Sequence, residues 1–399
     1  MVWVQIMKRI ISLFIFLPLL FACQNNNGYN ANVSVETPVE SFYLDQHFTV
    51  PTSFNIESEH EIFMLDDEML FMVENTLNTT KDSKKKAMRL LTHIFSQEKI
   101  SLNYSSHANL TAREAYHSKT ANCMSLTIMA YALAKEANLN VEFQQVNVPE
   151  YWIRNGQYNL LTGHVNLLIK PSTYPKKHLV YGNDNIQIDF DPFVVKQTFR
   201  KKVITKNTVL AMYYNNKGGQ ALVDEEYNKA YQYFKAATLS DKTFSSAWGN
   251  LAVLYRLTDN LIMAEKAYRY AIAISPRNLT ALTNLALLLR SQEKNLEADE
   301  IERRLLLKRI KNPYYHAVLA DEAYYKHDYQ QALKHYKKAI KLNKKIHELY
   351  FGIAKVYYQM NRLPEAEKAM KKALSLNKTK STEHQYIAKL NFLKAERTN

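Results

Sequence analysis

Disulfides cannot organise this chain. Its 399 residues hold two cysteines, Cys23 and Cys123, too few for a cross-linked framework. Other absences exclude whole classes of site. The sequence has no G-x-x-x-x-G-K-[ST] phosphate loop, no C-x-x-C pair and no H-E-x-x-H, so it carries no signature of a nucleotide or a zinc ion. No cofactor and no metal are expected. The excess of basic residues comes without a nucleic-acid recognition motif, and nucleic acid is not an expected partner. The apolar stretch from Ile10 to Phe21 is too short to span a bilayer comfortably.

What is present is a hydrophobic content of 47%, enough for real cores in two or more domains. The net charge is +14 with His neutral. A charge of that sign favours an acidic protein, anionic lipid head groups or lipopolysaccharide phosphates as partners. The Lys84-Lys85-Lys86 run reads as a solvated face.

The stretch Ala121-Asn122-Cys123-Met124-Ser125-Leu126 marks the point where a polar loop gives way to an apolar helix. Upstream, Asn109 to Glu114 and His117 to Asn122 offer turn and capping residues. Downstream, Met124, Ile128, Met129, Ala132 and Leu133 recur at helical spacing through Ala137. Asn138 reads as the C-terminal cap, and Val141-Glu142-Phe143 begins a strand. A sulfur in the first turn of a helix lies at the positive end of the macrodipole, which favours a nucleophilic anion. The plainer use of an unpaired Cys on an apolar helix is as a small core side chain.

Two strands change that balance. Thr162 to Ile169 reads as a strand starting at His164, with His164 and Asn166 on one face and Val165, Leu167 and Ile169 on the other. In Ile186 to Asp191, Ile186, Ile188 and Phe190 share one face while Asp189 and Asp191 share the other, and Pro192 ends the strand. Paired side by side, these strands bring a carboxylate beside the imidazole, facing the helix tip that carries Cys123. Those three types suit acyl transfer: a sulfur attacks an amide carbonyl, an imidazole moves the proton, and a carboxylate holds the ring.

Residues from about 85 to 195 resemble the transglutaminase-like superfamily, a papain-type α/β fold. The matching features are Thr111-Ala112, Cys123 opening its helix, Tyr131-Ala132-Leu133-Ala134, the transition from Asn138 to Phe143, His164 opening a strand, and Asp191-Pro192 closing the next. The resemblance implies an α+β domain over residues 41–205, with N-terminal helices and an antiparallel sheet. It also implies a Cys123, His164, Asp triad acting on amide bonds by hydrolysis or transfer to an amine. The chain departs from the family in carrying Ala121-Asn122 where Gly usually precedes the Cys, and Val165-Asn166 where an aromatic usually follows the His. Asp191 has the family's following Pro and Asp189 has equal claim by strand face, so both remain candidates. Before the nucleophile, Asp66-Asp67-Glu68 opens a helix carrying Met69, Leu70, Met72 and Val73. Ser83 to Phe95 forms another, with Met88, Leu90, Leu91 and Ile94 on one side.

At the N-terminus, Lys8-Arg9 precedes the apolar stretch, and Leu20-Phe21-Ala22-Cys23 resembles the lipobox of bacterial lipoproteins. The resemblance implies a signal peptide over 1–22, cleavage before Cys23, and fatty acyl chains such as palmitate on Cys23. It implies a polar tether over 23–40 and, with Gln24 rather than Asp after the Cys, an outer-membrane lipoprotein facing the periplasm. Several buried acyl chains make such attachment stable. Cys123 then has no disulfide partner, and a free thiol in an oxidising envelope is a liability unless buried or used.

From about Ala211 the chain repeats every 34 residues. Trp248, Leu251, Ala252, Tyr255, Ala264, Tyr268, Ala271 and Pro276 set a pattern that steps through five copies and resembles tetratricopeptide repeats. Small residues let the two helices of a copy approach, and large ones fill the gap to the next. The first copy is irregular at Lys217 and Ala221. The third is the weakest, with Glu302 where an aromatic usually packs. The resemblance implies five repeats over 211–380, a solvating cap over 381–399, and a right-handed superhelix whose concave face binds a peptide or helix. Tyr324 and Tyr357 are candidate partner-binding residues. The competing reading is a non-catalytic adaptor that uses a degenerate transglutaminase-like fold beside the repeats.

Overall fold

The structure, a computed structural model, describes residues 36–95, 103–104, 108–118, 120–148, 152–155, 158–161, 163–170, 185–190, 199–377 and 380–398. Cys23 and Asp191 lie outside the described residues.

Short, individually capped helices open the described chain. Helix α1 (Glu59–Phe63) starts in a capping box, with Ser58 accepting from the Glu61 amide and Glu61 reaching back to Ser58. Helix α2 (Asp67–Met72) is capped by Asp66 and runs into a π-turn over Val73–Leu77. Helix α3 (Ser83–Phe95) buries Ala87, Leu90 and Ile94. Met88, expected on that side, is 51% exposed, because it stands about 100° around the helix from Ala87 and outside the stripe the core covers. Helix α4 (Ala112–His117) begins in a second capping box, Thr111 with Glu114.

Helix α5 (Cys123–Glu136) is the axis of this part. Ten of its fourteen residues are buried, as suits a helix that is apolar on nearly all sides. It ends where Asn138 turns left-handed, φ 58°, and the Leu139 amide closes back on the Ala134 carbonyl at 2.9 Å. Asn tolerates that conformation better than most side chains.

Eight short strands are present among the described residues: β1 (Asn103–Tyr104), β2 (Thr120–Ala121), β3 (Val141–Val146), β4 (Trp152–Asn155), β5 (Tyr158–Leu161), β6 (His164–Ile169), β7 (Ile186–Ile188) and β8 (Lys201–Ile204). Four of them form an antiparallel sheet in the order β7-β6-β3-β8. Gln144 pairs with Asn166, and Leu167 with Ile188. Period-2 alternation sends Val141, Phe143, Val165, Leu167, Ile169 and Ile188 into one core with α5. There the Tyr131 ring stacks on Phe143 at 4.2 Å between centroids. The opposite alternation set holds Glu142, Gln144, His164, Asn166 and Gln187.

The remainder is helical. Five antiparallel pairs follow: α6 (Lys206–Val223) with α7 (Tyr227–Ser240), α8 (Ser245–Leu257) with α9 (Leu261–Ile274), α10 (Leu279–Ser291) with α11 (Asn295–Arg309), α12 (Pro313–Tyr325) with α13 (Tyr329–Leu342), and α14 (His347–Gln359) with α15 (Leu363–Leu376). Helix α16 (Lys380–Thr398) packs on the last pair. The repeat is written into the backbone. Glu225, Asp259, Glu293, His327 and Asn361, spaced by 34, all take φ between 56° and 61° at the turn within each pair. At each, the next residue's amide closes on a carbonyl five positions back, for example Lys294 on Leu289 at 2.9 Å, which satisfies a carbonyl left open at the helix end.

Three cores run along the described chain. The first joins the α/β part to Val209, Tyr213 and Tyr214 of α6. The second fills the solenoid through Leu305 and takes in Val39, Phe42 and Phe48. Residues 39–48, which span the end of the expected 23–40 tether and the start of the expected 41–205 domain, lie as a strap across the solenoid. Phe42 sits edge-on to Trp248 at 5.1 Å, and Phe48 stacks on Tyr231 at 4.5 Å. Aromatic rings of this size bury against other rings wherever a groove admits them. The third core begins at Ala320. The gap between second and third cores follows the weakest copy, where Glu302 turns outward to Arg290 at 2.8 Å.

Candidate functional site

Cys123 is the first residue of α5. Its position is fixed from the preceding residue: Asn122, 4% exposed, accepts from the Ser125 amide at 2.8 Å and donates to Asn109 Oδ1 at 2.8 Å. The Ser125 hydroxyl donates to the Ala108 carbonyl and accepts from the Leu110 amide, each at 2.8 Å. These bonds pin the loop 108–110 to the helix start. The Cys123 and Met124 amides lie in the first turn, where N–H groups have no partner within the helix. Cys123 is a free thiol, only partly buried.

His164 opens β6 and is 4% exposed. Its Nε2 lies 2.7 Å from Asp189 Oδ1, and the Cys123 side chain is near enough to act on the same ring. With Nε2 engaged by the carboxylate, Nδ1 is the nitrogen left for the sulfur. Burial works against a charged ring. The hydrogen bonds and charges of Asp189 and Cys123 outweigh it, so the imidazole is pushed up to about 10. The ring thus holds its second proton across the neutral range.

Of the two candidate aspartates, Asp189 lies among the described residues. The ladder of β7 ends at Ile188, short of the expected Asp191. Extending its register sets Asp189 opposite Asn166, one diagonal step from His164. Asp189 makes the contact with His164; Asp191 is outside the described residues. The Asp189 side chain is 2% exposed, and its Oδ2 accepts from Asn166 Nδ2 at 2.8 Å and Gln187 Nε2 at 3.2 Å. Neither amide was singled out for this task by sequence reading. The available signal was alternation, which already set Asn166 beside His164.

Among the described residues no group of three or more His, Cys, Asp or Glu side chains is arranged to hold a metal ion, and no helix is long and apolar enough to cross a membrane.

In the solenoid, Tyr324 and Tyr357 are partly buried against the third core. Lys355 Nζ stands 5.2 Å from the centre of the Tyr324 ring, and the Arg362 guanidinium 4.8 Å from that of Tyr357. Tyr357 recurs at the same repeat position as Tyr255, which is fully buried.

Residues 245–278 and 323–386 match family models described as tetratricopeptide repeat. The helical half is a tetratricopeptide-repeat solenoid. The chain is also similar to the human protein O-mannosyl-transferase TMTC3, 28% identical over 193 residues that make up 44% of this chain and 20% of that one. It spans about a fifth of the length of that relative. Among solved structures it is similar to the APC/C hetero-tetramer Cut9-Hcn1, with 21% identity, 46% of this chain, 37% of that one and a TM-score of 0.28. PilF of Pseudomonas aeruginosa gives 17%, 49%, 88% and 0.30, and yeast Tom70 gives 17%, 48%, 55% and 0.28. Solenoids of this family support a protein or peptide as partner.

Proposed function

We propose that this protein is a cysteine-dependent acyl-transfer enzyme of transglutaminase-like type, whose solenoid recruits the protein it acts on. The observation that carries the reading is the His164 ring, bonded to Asp189 at 2.7 Å with the Cys123 side chain acting on the same ring. Sulfur, imidazole and carboxylate come from three separate elements, as nucleophilic catalysis on an amide needs.

In the proposed reaction the Cys123 sulfur, as an anion beside the imidazolium, attacks the carbonyl carbon of an amide. The oxygen of the tetrahedral intermediate is received by first-turn N–H groups of α5, which are aligned with the helix dipole. His164 passes its proton to the departing nitrogen as the C–N bond breaks, leaving a thioester on Cys123. Water or a second amine, deprotonated by His164, then attacks the thioester, and the sulfur leaves as the anion. Asp189 keeps Nε2 occupied, so the ring presents Nδ1 to both steps.

Membrane attachment through lipid on Cys23, on the periplasmic side of an outer membrane, is part of the proposal. It rests on the Leu20-Phe21-Ala22-Cys23 sequence.

An iodoacetamide-type or papain-directed electrophile tests the site. It should label the full chain at Cys123, and His164→Ala should slow the labelling about a hundredfold or more. Labelling at the same rate in His164→Ala would make Cys123 an ordinary thiol and leave the non-catalytic adaptor.

A further inference from the structure

We propose that Asn166 is a positioning residue of this site, holding the Asp189 carboxylate in the one rotation that aims Oδ1 at His164, with Gln187 as its second support. The inference rests on the acyl-transfer reading for its purpose and on the geometry for its content.

A carboxylate can turn about its Cβ–Cγ bond and offer either oxygen in many directions. Asp189 is denied that freedom. Oδ1 faces His164 Nε2 at 2.7 Å, while Oδ2 accepts Asn166 Nδ2 at 2.8 Å and Gln187 Nε2 at 3.2 Å. The Gln187 carbonyl is itself held by Lys201 Nζ. A row therefore runs from Lys201 through Gln187 and Asp189 to His164 and Cys123.

The way Asn166 is oriented favours a role in the site. Asn166 is fully buried, and its amide group turns NH2 toward the carboxylate, which fixes the flip because the reverse would set two oxygens against each other. Its own Oδ1 is left buried with no hydrogen-bond partner among the described residues. A buried carbonyl without a donor is a cost that an apolar side chain here would avoid. Leu168 stands at the next position of the same alternation set, so the sheet itself does not require an amide on this face. Buried charge does: two neutral donors hold Oδ2 without removing the negative charge that Oδ1 presents to the ring. Amide donors support the carboxylate without adding a positive charge of their own, where an arginine or lysine would compete with His164 for it.

The test compares Asn166→Leu, of similar size and without a donor, with Asn166→Thr, which restores a hydroxyl donor. Circular dichroism and melting certify the fold of each. The readouts are the His164 titration by NMR and the pH profile of Cys123 alkylation by iodoacetamide in the full-length protein. Asn166→Leu should move the His164 titration down by a unit or more and slow alkylation at pH 7 about tenfold, and Asn166→Thr should recover most of both. Gln187→Leu should give a smaller shift of the same sign, and it decides the matter if Asn166→Leu does not fold. An unmoved His164 titration in a folded Asn166→Leu, or in Gln187→Leu where that variant decides, overturns the inference. If wild-type alkylation proves independent of His164, the acyl-transfer reading fails, while the NMR titration still reports whether Asn166 positions the dyad.

Discussion

His316 and His335 stack ring on ring, with centroids 5.9 Å apart and planes 20° from parallel. His316 fills the repeat position that Trp248 holds two copies earlier. It is 3% exposed, bonds the Ile310 carbonyl through Nε2 at 3.0 Å, and has no hydrogen-bond partner for its buried Nδ1 among the described residues. His335 Nδ1 is in the same condition. Burial lowers both rings below the usual histidine value, and Lys338 lowers both further, with Lys334 and His316 acting on His335. The pair sits next to the gap between the second and third cores.

That pair predicts an acid-sensitive joint. The folded state keeps both rings neutral, so below about pH 6.5 the unfolded chain binds more protons and stability falls as pH falls. Melting of the full chain at pH 7.5 and 5.5 should show the drop, and the double variant His316→Gln, His335→Gln should shrink it. Each kcal/mol lost corresponds to about 2–4 °C for a domain of this size. An equal drop in both proteins would show that other groups carry the acid limb.

His164 predicts the opposite limb. Its ring is raised to about 10 in the fold against 6.5 for the free side chain. The stabilisation this supplies is complete below pH 6.5 and disappears as pH rises through about 10. Asp189→Asn replaces the charged acceptor whose hydrogen bond is the largest cause raising the ring. The ring should then titrate at least one unit lower by NMR, and Cys123 alkylation should slow by about 10²-fold or more. Retention of the wild-type titration in Asp189→Asn would remove Asp189 from the site.

Two glycines should respond to alanine with opposite signs. A methyl on Gly352 of α14 would lie 2.2 Å from Tyr336 Cζ. That ring is 3% exposed and its hydroxyl donates to Asp321 at 2.7 Å, so it cannot swing aside. Gly352→Ala should cost about 1–3 kcal/mol. A methyl on Gly219 of α6 meets nothing within 4 Å, and Gly219→Ala should stabilise by about 0.5–1 kcal/mol through helix propensity alone. Chemical denaturation of both variants checks the pair; destabilisation by Gly219→Ala would mean that its surroundings are tighter than described.

Much of this architecture was legible in the sequence, because it is carried by periods. The 34-residue register placed all five helix pairs, and alternation placed His164 and Asn166 on one face of β6. What periods cannot supply is the register between strands. Asp189 and Asp191 differ by one full alternation, so both satisfy the pattern, and it is the 2.7 Å bond to His164 that marks Asp189. The strap was illegible for a different reason. Phe42 and Phe48 lie in a stretch too short to show a period beyond the single turn Val39–Phe42, and their ring partners Tyr231, Trp248 and Tyr270 lie about 180–230 residues downstream. The turn residues with positive φ were missed too, since Glu225 and Glu293 are not the types that favour that conformation.

The turn residues give a further stability prediction. Glu293 holds φ 61° between α10 and α11, a conformation costing a non-glycine residue about 1–2 kcal/mol. Glu293→Gly should therefore stabilise by about 0.5–1 kcal/mol, the gain being reduced by the greater freedom of glycine in the unfolded chain. Asn361→Gly, at the same step of the fifth copy, should gain less because Asn already tolerates φ 56°. Equal gains at the two turns, measured by denaturation midpoint, would show that backbone strain is not what separates them.

The strap should behave as part of the solenoid. Phe42 is fully buried, its carbonyl accepts from the Tyr255 hydroxyl at 2.5 Å, and Lys266 Nζ lies 4.6 Å from its ring centre. Its ring also lies 4.8 Å from that of Tyr270. Removing it opens a cavity between α8 and α9, and Phe42→Ala should cost about 3–5 kcal/mol. Because the lost contacts all belong to the second core, protease cleavage should accelerate within α7 to α11 while Cys123 alkylation keeps its wild-type pH profile. Phe71→Ala, at a ring 69% exposed on α2, should stay within about 0.5 kcal/mol of wild type. A Phe42→Ala variant as stable as Phe71→Ala would detach the strap from the solenoid core.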